Sequence, residues 1–233
     1  MSKIKIVFYL VLVFIIYKGY VAFKDFEIGV GDRVAQIEEM ADIEKEDEVI
    51  VPAFTWISTA NVVEHLGAKV VFCDIDLKTF NISVSQIESK ITPKTKAIIP
   101  VHLFGLSADM DQINTIAKRY GLWVVEDAAC GFGSKFNGRH VGNFGDTGCF
   151  SFHPRKAITT GEGGAVLTNN KLIANRARLL RDHAFTQTKD IIKKYNHDYL
   201  GYNYRMTNLQ AAIGCSQIES INVILKKRKT IEN

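Results

Sequence analysis

The sequence predicts an α/β fold built on a mainly parallel sheet, and three observations predict it. From Glu48 onward, short apolar runs alternate with helical patterns, the order in which βαβ units are written. Polar residues stand directly after several of those runs, where open parallel sheets gather their ligands. A chain of 233 residues, 47% of them apolar, can bury a core, which excludes a disordered or fibrous protein.

Each element has its own warrant. Val49-Ile50-Val51 reads as the first strand, and Trp56 to Leu66 as a helix ended by Gly67. Lys69 to Cys73 is the second strand. Ser83 and Gln86 have capping-box spacing for a helix to Ile91, which Thr92-Pro93 breaks. Ala97 to Val101 is the third strand. Asp109 can cap a helix to Tyr120, Gly121 ends it, and Leu122 to Val125 is a fourth, fully buried strand. Asn137-Gly138 favours a type I′ hairpin. Strands near Thr147–Phe152 and Ala165–Thr168 and helices over Lys171–Asp182 and Thr207–Ile218 complete the body.

The formal net charge is +4, but its positive part lies at the two ends, and the middle carries a small negative balance. A nucleic-acid reader needs its basic stripe on the folded body, so nucleic acid is excluded as a partner. Cys73, Cys130, Cys149 and Cys215 are too widely spaced for a zinc pair or a disulfide framework, which suits a reducing, cytoplasmic setting. Between Lys5 and Lys18 lie twelve uncharged residues, short of the roughly 20 that span hydrocarbon as a helix. That run reads as a leader, or as an anchor stretched by snorkelling lysines. Membrane contact is expected only through residues 4–23. Lys226-Lys-Arg-Lys229 reads as the cationic, solvated end of a helix.

Four places at strand ends are candidates for chemistry: Asp74, His102, Asp127 and the stretch Ser151 to Gly164. Asp74 and Asp76 suit a turn more than a metal. His102 has no companion at ligand spacing and reads as a structural or pocket-lining histidine. Gly131-x-Gly133 hints at a dinucleotide loop, but the hairpin that follows leaves no room for the required helix. Asp127 ends the most apolar strand, where a carboxylate is costly unless something cationic pairs with it. Lys156 follows 29 residues later, beside Gly161-Glu-Gly-Gly164. This pattern leaves two readings open. One is a plain structural ion pair; the other is a pyridoxal phosphate site, with the lysine forming the Schiff base and the carboxylate keeping the pyridine nitrogen protonated.

The stretches Asp47-Glu-Val-Ile-Val-Pro-Ala-Phe-Thr-Trp56, Lys96-Ala-Ile-Ile-Pro-Val-His-Leu-Phe-Gly105, Glu126-Asp-Ala-Ala129, Phe150-Ser-Phe-His-Pro-Arg-Lys156, Gly161-Glu-Gly-Gly164 and Gly201-Tyr-Asn-Tyr-Arg-Met206 resemble the DegT/StrS family. That family comprises pyridoxal-phosphate-dependent aminotransferases acting on nucleotide-linked keto sugars. The resemblance implies the three-layer αβα large domain of fold-type I enzymes over residues 44–220. It leaves 1–43 as an unmatched leader with a short hydrophobic segment and 221–233 as a basic end. It implies Lys156 as the Schiff-base lysine, Asp127 against the pyridine nitrogen, Trp56 stacked on the ring, and Ser151 on the cofactor phosphate. Asn203 would reach the phosphate held by a neighbouring subunit, which implies a homodimer. Cys130 occupies the position that often carries His or Gln against the ring. Glutamate would donate the amino group and a nucleotide-linked keto-deoxysugar would receive it, as in amino-sugar biosynthesis. Lys156, where related dehydratases have His, favours aminotransfer. Two departures stand out. Gly31-Asp-Arg33 lies where the family has a small phosphate-binding turn, and the family pattern continues beyond Asn233 into a small C-terminal domain. They motivate the alternative reading of a truncated, catalytically inactive member, with or without a membrane tether through its leader.

Overall fold

The computed structural model describes residues 43–186, 196–197 and 199–231. The apolar run and Gly31-Asp-Arg33 lie outside them. Among the described residues a six-stranded sheet has the order β2-β1-β3-β4-β7-β8. Its strands are β1 (Glu48–Pro52), β2 (Lys69–Cys73), β3 (Thr95–Ile98), β4 (Trp123–Asp127), β7 (Thr147–Ser151) and β8 (Gly164–Leu167). The first five run parallel, and β8 returns antiparallel to β7. The short hairpin β5 (Lys135–Phe136) and β6 (Arg139–His140) stands apart from the sheet. Positive φ at both Asn137 (47°) and Gly138 (79°) matches the expected type I′ turn.

Helices cover both faces because successive strand residues point to opposite sides. On one face, Val62 and Val63 of α1 (Ser58–His65) pack on Val49, Val51, Ile99 and Val125. On the other, Ile113, Ile116 and Ala117 pack on Ile50, Ile98 and Val124, beside Ile87. Those residues come from α3 (Met110–Tyr120) and the one-turn α2 (Val84–Ile87). Each fully buried aliphatic side chain contributes about 1.5–3 kcal/mol, so the two clusters hold the sheet from both sides.

The helix ends follow local chemistry, with one departure. Asp109 Oδ1 accepts from the Gln112 amide at 3.1 Å, and Gly121 adopts the left-handed conformation at φ 65°, as expected. The capping box at Ser83 does not form. Ser83 Oγ pairs with Ser85 Oγ at 3.1 Å, and α2 tightens after one turn into a 3₁₀ segment, Glu88–Lys90. The third strand is shorter than expected, since Pro100 has no amide to extend the ladder. Pairing resumes past it. Asp127 N donates to Pro100 O at 2.8 Å, and His102 N donates to Asp127 O at 3.0 Å. After α4 (Lys171–Arg181), the chain reaches α5 (Asn208–Glu219) and α6 (Ile221–Ile231). A capping box between Thr207 and Gln210 starts α5. Among the described residues no helix is long and apolar enough to cross a membrane.

Candidate active site

Asp127 ends β4 on the α1 side of the sheet and is only 8% exposed. Its two carboxylate oxygens have neutral partners. Thr59 Oγ1 donates to Oδ2 at 2.8 Å, and the Ala129 amide donates to Oδ1 at 3.1 Å. Thr59 in turn shares a 3.2 Å hydrogen bond with Thr55 Oγ1. That chain of hydroxyls ties Asp127 to the loop carrying Trp56, whose ring is 68% exposed with the Arg155 guanidinium 5.7 Å from its centre. Among the described residues no cation pairs with Asp127, so the plain ion-pair reading is not what the structure holds.

Lys156 lies on the loop between β7 and β8. Its amine donates to Cys130 Sγ at 3.1 Å. Cys130 is three residues past Asp127 and exposed, so the lysine loop and the Asp127 loop meet at this thiol. Ser151 ends β7, two residues beyond the Asp127–Cys149 register pair, and its hydroxyl accepts from the His153 amide at 3.3 Å. Lys156, Cys130, Asp127, Trp56 and Ser151 therefore lie at the carboxyl ends of β1, β4 and β7 or on the loops that follow those strands. Asn203 has a different partner. Its backbone bridges Asp182, and among the described residues no hydrogen bond joins it to the other five.

Beneath this cluster lies a carboxylate that sequence reasoning did not single out. Glu126 is fully buried and points to the face opposite Asp127. Gly142 N donates to Oε2, and Phe144 N and Gly145 N donate to Oε1, each at 2.6 Å. His102 Nε2 lies 3.0 Å from Oε2, while its Nδ1 accepts from the Ala108 amide at 3.2 Å. The proton must then sit on Nε2, and the neutral imidazole donates to Glu126. Burial pushes the Glu126 carboxyl up, but the His102 bond and the amides of Gly145 and Gly142 outweigh it and hold it below the ordinary value. His102 is thus a structural histidine. Asp74 and Asp76 serve turns: Asp74 accepts from Ile75 N at 2.8 Å, and Asp76 from the amides of Lys78 and Thr79 at 2.9 Å. Thr59 and Glu126 had no local signal, since their partners lie many residues away.

The sequence model described as the DegT/DnrJ/EryC1/StrS aminotransferase family matches residues 36–233. The chain belongs to that family. Among its curated relatives is GDP-perosamine synthase of Escherichia coli O157:H7, 48% identical over 189 residues, which are 81% of this chain and 51% of the relative. Helicobacter pylori PseC, an aminotransferase involved in the biosynthesis of pseudoaminic acid, superposes with a TM-score of 0.78 at 29% identity, covering 85% of this chain and 53% of its own. The PLP-form of the putative sugar aminotransferase Spr1654 from Streptococcus pneumoniae superposes with a TM-score of 0.72 at 31% identity, covering 81% of this chain and 53% of its own. The chain thus spans about half the length of the relatives it matches. The expected α/β architecture with helices on both sheet faces agrees with these aminotransferase structures.

Proposed function

We propose that this chain is the pyridoxal-phosphate-binding part of an aminotransferase that moves an amino group from glutamate to a keto group on a nucleotide-linked deoxysugar. The observation that carries this reading is the meeting of Lys156 with the Asp127 loop at Cys130. A nearly buried carboxylate whose described partners are neutral is incomplete on its own, because such a charge needs a cationic or strongly donating partner. A pyridinium N–H is such a donor. An amine whose described side-chain hydrogen bond goes to a thiol is free to condense with a carbonyl. The residues present fit the group.

Bound there, pyridoxal phosphate supplies a carbonyl that condenses with amines and a ring that withdraws electrons from the adjoining carbon. Lys156 would hold the cofactor covalently and, when released, carry the proton between carbons. Asp127, steadied by Thr59 and Ala129, would accept the ring N–H and keep that nitrogen protonated. Trp56 would cover one ring face, Cys130 would lie beside the ring, and Ser151 would donate to the phosphate. Asn203, which no described hydrogen bond joins to the other five, would serve a neighbouring subunit of a homodimer. The GDP-perosamine synthase relative supports a sugar-nucleotide acceptor, and Lys rather than His at position 156 supports amination over dehydration. Residues 44–220 would form the cofactor-binding domain, and the free cysteines suit a cytoplasmic setting.

The test is covalent trapping. Borohydride treatment of the chain with pyridoxal phosphate should fix pyridoxyl on Lys156, read by mass spectrometry, and Lys156→Ala should abolish both the fixed label and amination. Label on a different lysine would overturn the assignment.

A further inference from the structure

We infer that Gln217 is a positioning residue that holds the lysine loop in place from α5, an inference that rests on the role given to Lys156. Thr159 N donates to Gln217 Oε1 at 2.9 Å, and Gln217 Nε2 donates to Thr159 O at 2.9 Å. One side-chain amide thus satisfies both backbone groups of a loop residue, as a neighbouring strand would. Two further bonds from the same helical segment grip the same loop. Gln210 Nε2 donates to Glu162 O at 3.2 Å, and Arg228 donates to the carbonyl of Lys156 itself at 2.7 Å. Leu225 of α6 packs where a Cβ on Gly133 would fall, 2.7 Å from its Cδ1. The α5–α6 segment therefore touches the loop of Lys156 and the loop that follows Asp127.

The lysine loop needs such support. It reverses direction through Gly161 and Gly163, both at positive φ, and Phe152 closes its base through bonds with Gly163 O, Thr160 N and Thr159 Oγ1. The reach of a half-buried lysine from a loop of this kind is set by whatever fixes the backbone around it, and small displacements of a reacting group are costly. Gln217 fixes that backbone at its midpoint. Both polar atoms of its side-chain amide are engaged by Thr159.

The experiment compares the full chain with Gln217→Met, which keeps the volume and removes both hydrogen bonds, and Gln217→Glu, which keeps only the acceptor for Thr159 N. Amide hydrogen exchange without cofactor reads the loop directly: peptides over 157–161 should exchange faster in Gln217→Met and to a lesser degree in Gln217→Glu, while β1 and β4 are unchanged. Borohydride trapping on Lys156 across a pyridoxal phosphate titration should show an apparent affinity about tenfold lower in Gln217→Met, or about 1.4 kcal/mol. Exchange and trapping equal to the parent chain in both variants would overturn the inference. Faster exchange throughout β1 and β4 in both variants would overturn it too, by showing a fold-wide role. If the parent chain itself traps no cofactor on Lys156, the reading of that lysine fails, while the exchange data still decide whether Gln217 holds the loop.

Discussion

Asp127 and Glu126 are adjacent acids held in opposite ways. Asp127 keeps neutral partners and a sliver of exposure, so Asp127→Asn should leave the fold nearly intact while amination falls by orders of magnitude, because the ring nitrogen loses the group that keeps it protonated. Rates and melting curves measured together check this; near-normal turnover, or a large loss of stability instead of rate, would reject the role. Glu126 is a structural anchor: its carboxylate accepts three backbone amides and His102. Hydrogen bonds to a charged group contribute about 1.5–3 kcal/mol each, so Glu126→Gln should destabilise the fold by several kcal/mol at neutral pH. The pH dependence follows from its depressed value. The unfolded chain, titrating near 4.5, binds the proton before the folded chain does, so Glu126 stabilises the fold fully above that pH and ceases to as pH falls through the lower folded value. Urea melts of parent and Glu126→Gln from pH 7 down to about pH 3 should show a steeper acid loss in the parent below pH 4.5; parallel curves would contradict the assignment.

Elements announced themselves where their signals were local. The helix α3 was legible because Asp109 and Gly121 bracket an apolar period, and the hairpin because Asn-Gly tolerates positive φ at both positions. The Ser83 cap misled because the same spacing occurs where the hydroxyl finds a nearer partner. Pairings such as Thr59 with Asp127, 68 residues apart, and Thr159 with Gln217, 58 apart, leave no periodic trace, so the supports of the site were invisible even though Lys156 and Asp127 were not. The strand β7 offers a test at this scale. A Cβ on Gly148 would lie 2.2 Å from the carbonyl oxygen of Gly142, whose amide binds Glu126. Gly148→Ala should therefore cost about 1–3 kcal/mol by overpacking and show a non-additive cycle with Glu126→Gln. Additive losses in denaturant melts would separate the two features.

Across the whole molecule, the loops after the parallel strands present an apolar rim. Phe54 and Phe80 pack at 5.8 Å, and the Leu103–Leu106 turn is tied to them through Asn81, which binds Leu103 N and Leu106 O at 3.0 Å. Phe104 there is 77% exposed and Leu77 is 80% exposed. Exposed clusters of this kind mark association surfaces. Sedimentation velocity of the full chain should show a dimer, shifted toward monomer by Phe104→Ser with Leu77→Ser; an unchanged monomer in the parent would show that this rim pairs with no second copy. The fold class and the succession of strands and helices along the chain were readable from alternation, whereas the sheet order and this rim were not, because such residues become neighbours only once the sheet is assembled.

The alternation of β4 has one more consequence. Two consecutive carboxylates leave the strand on opposite sides, one sealed among backbone amides and one turned toward the hydroxyl of Thr59. Sliding β4 by a single residue along β7, where Val125 now faces Thr147 and Asp127 faces Cys149, would carry each acid to the other's side. In one direction the sealed socket would receive Asp127, one methylene too short, and in the other it would receive Val125 while Glu126, one methylene too long, reached the open end. Strand registration thus selects which acid is sealed and which stays open, and the lengths of Glu and Asp serve as its key.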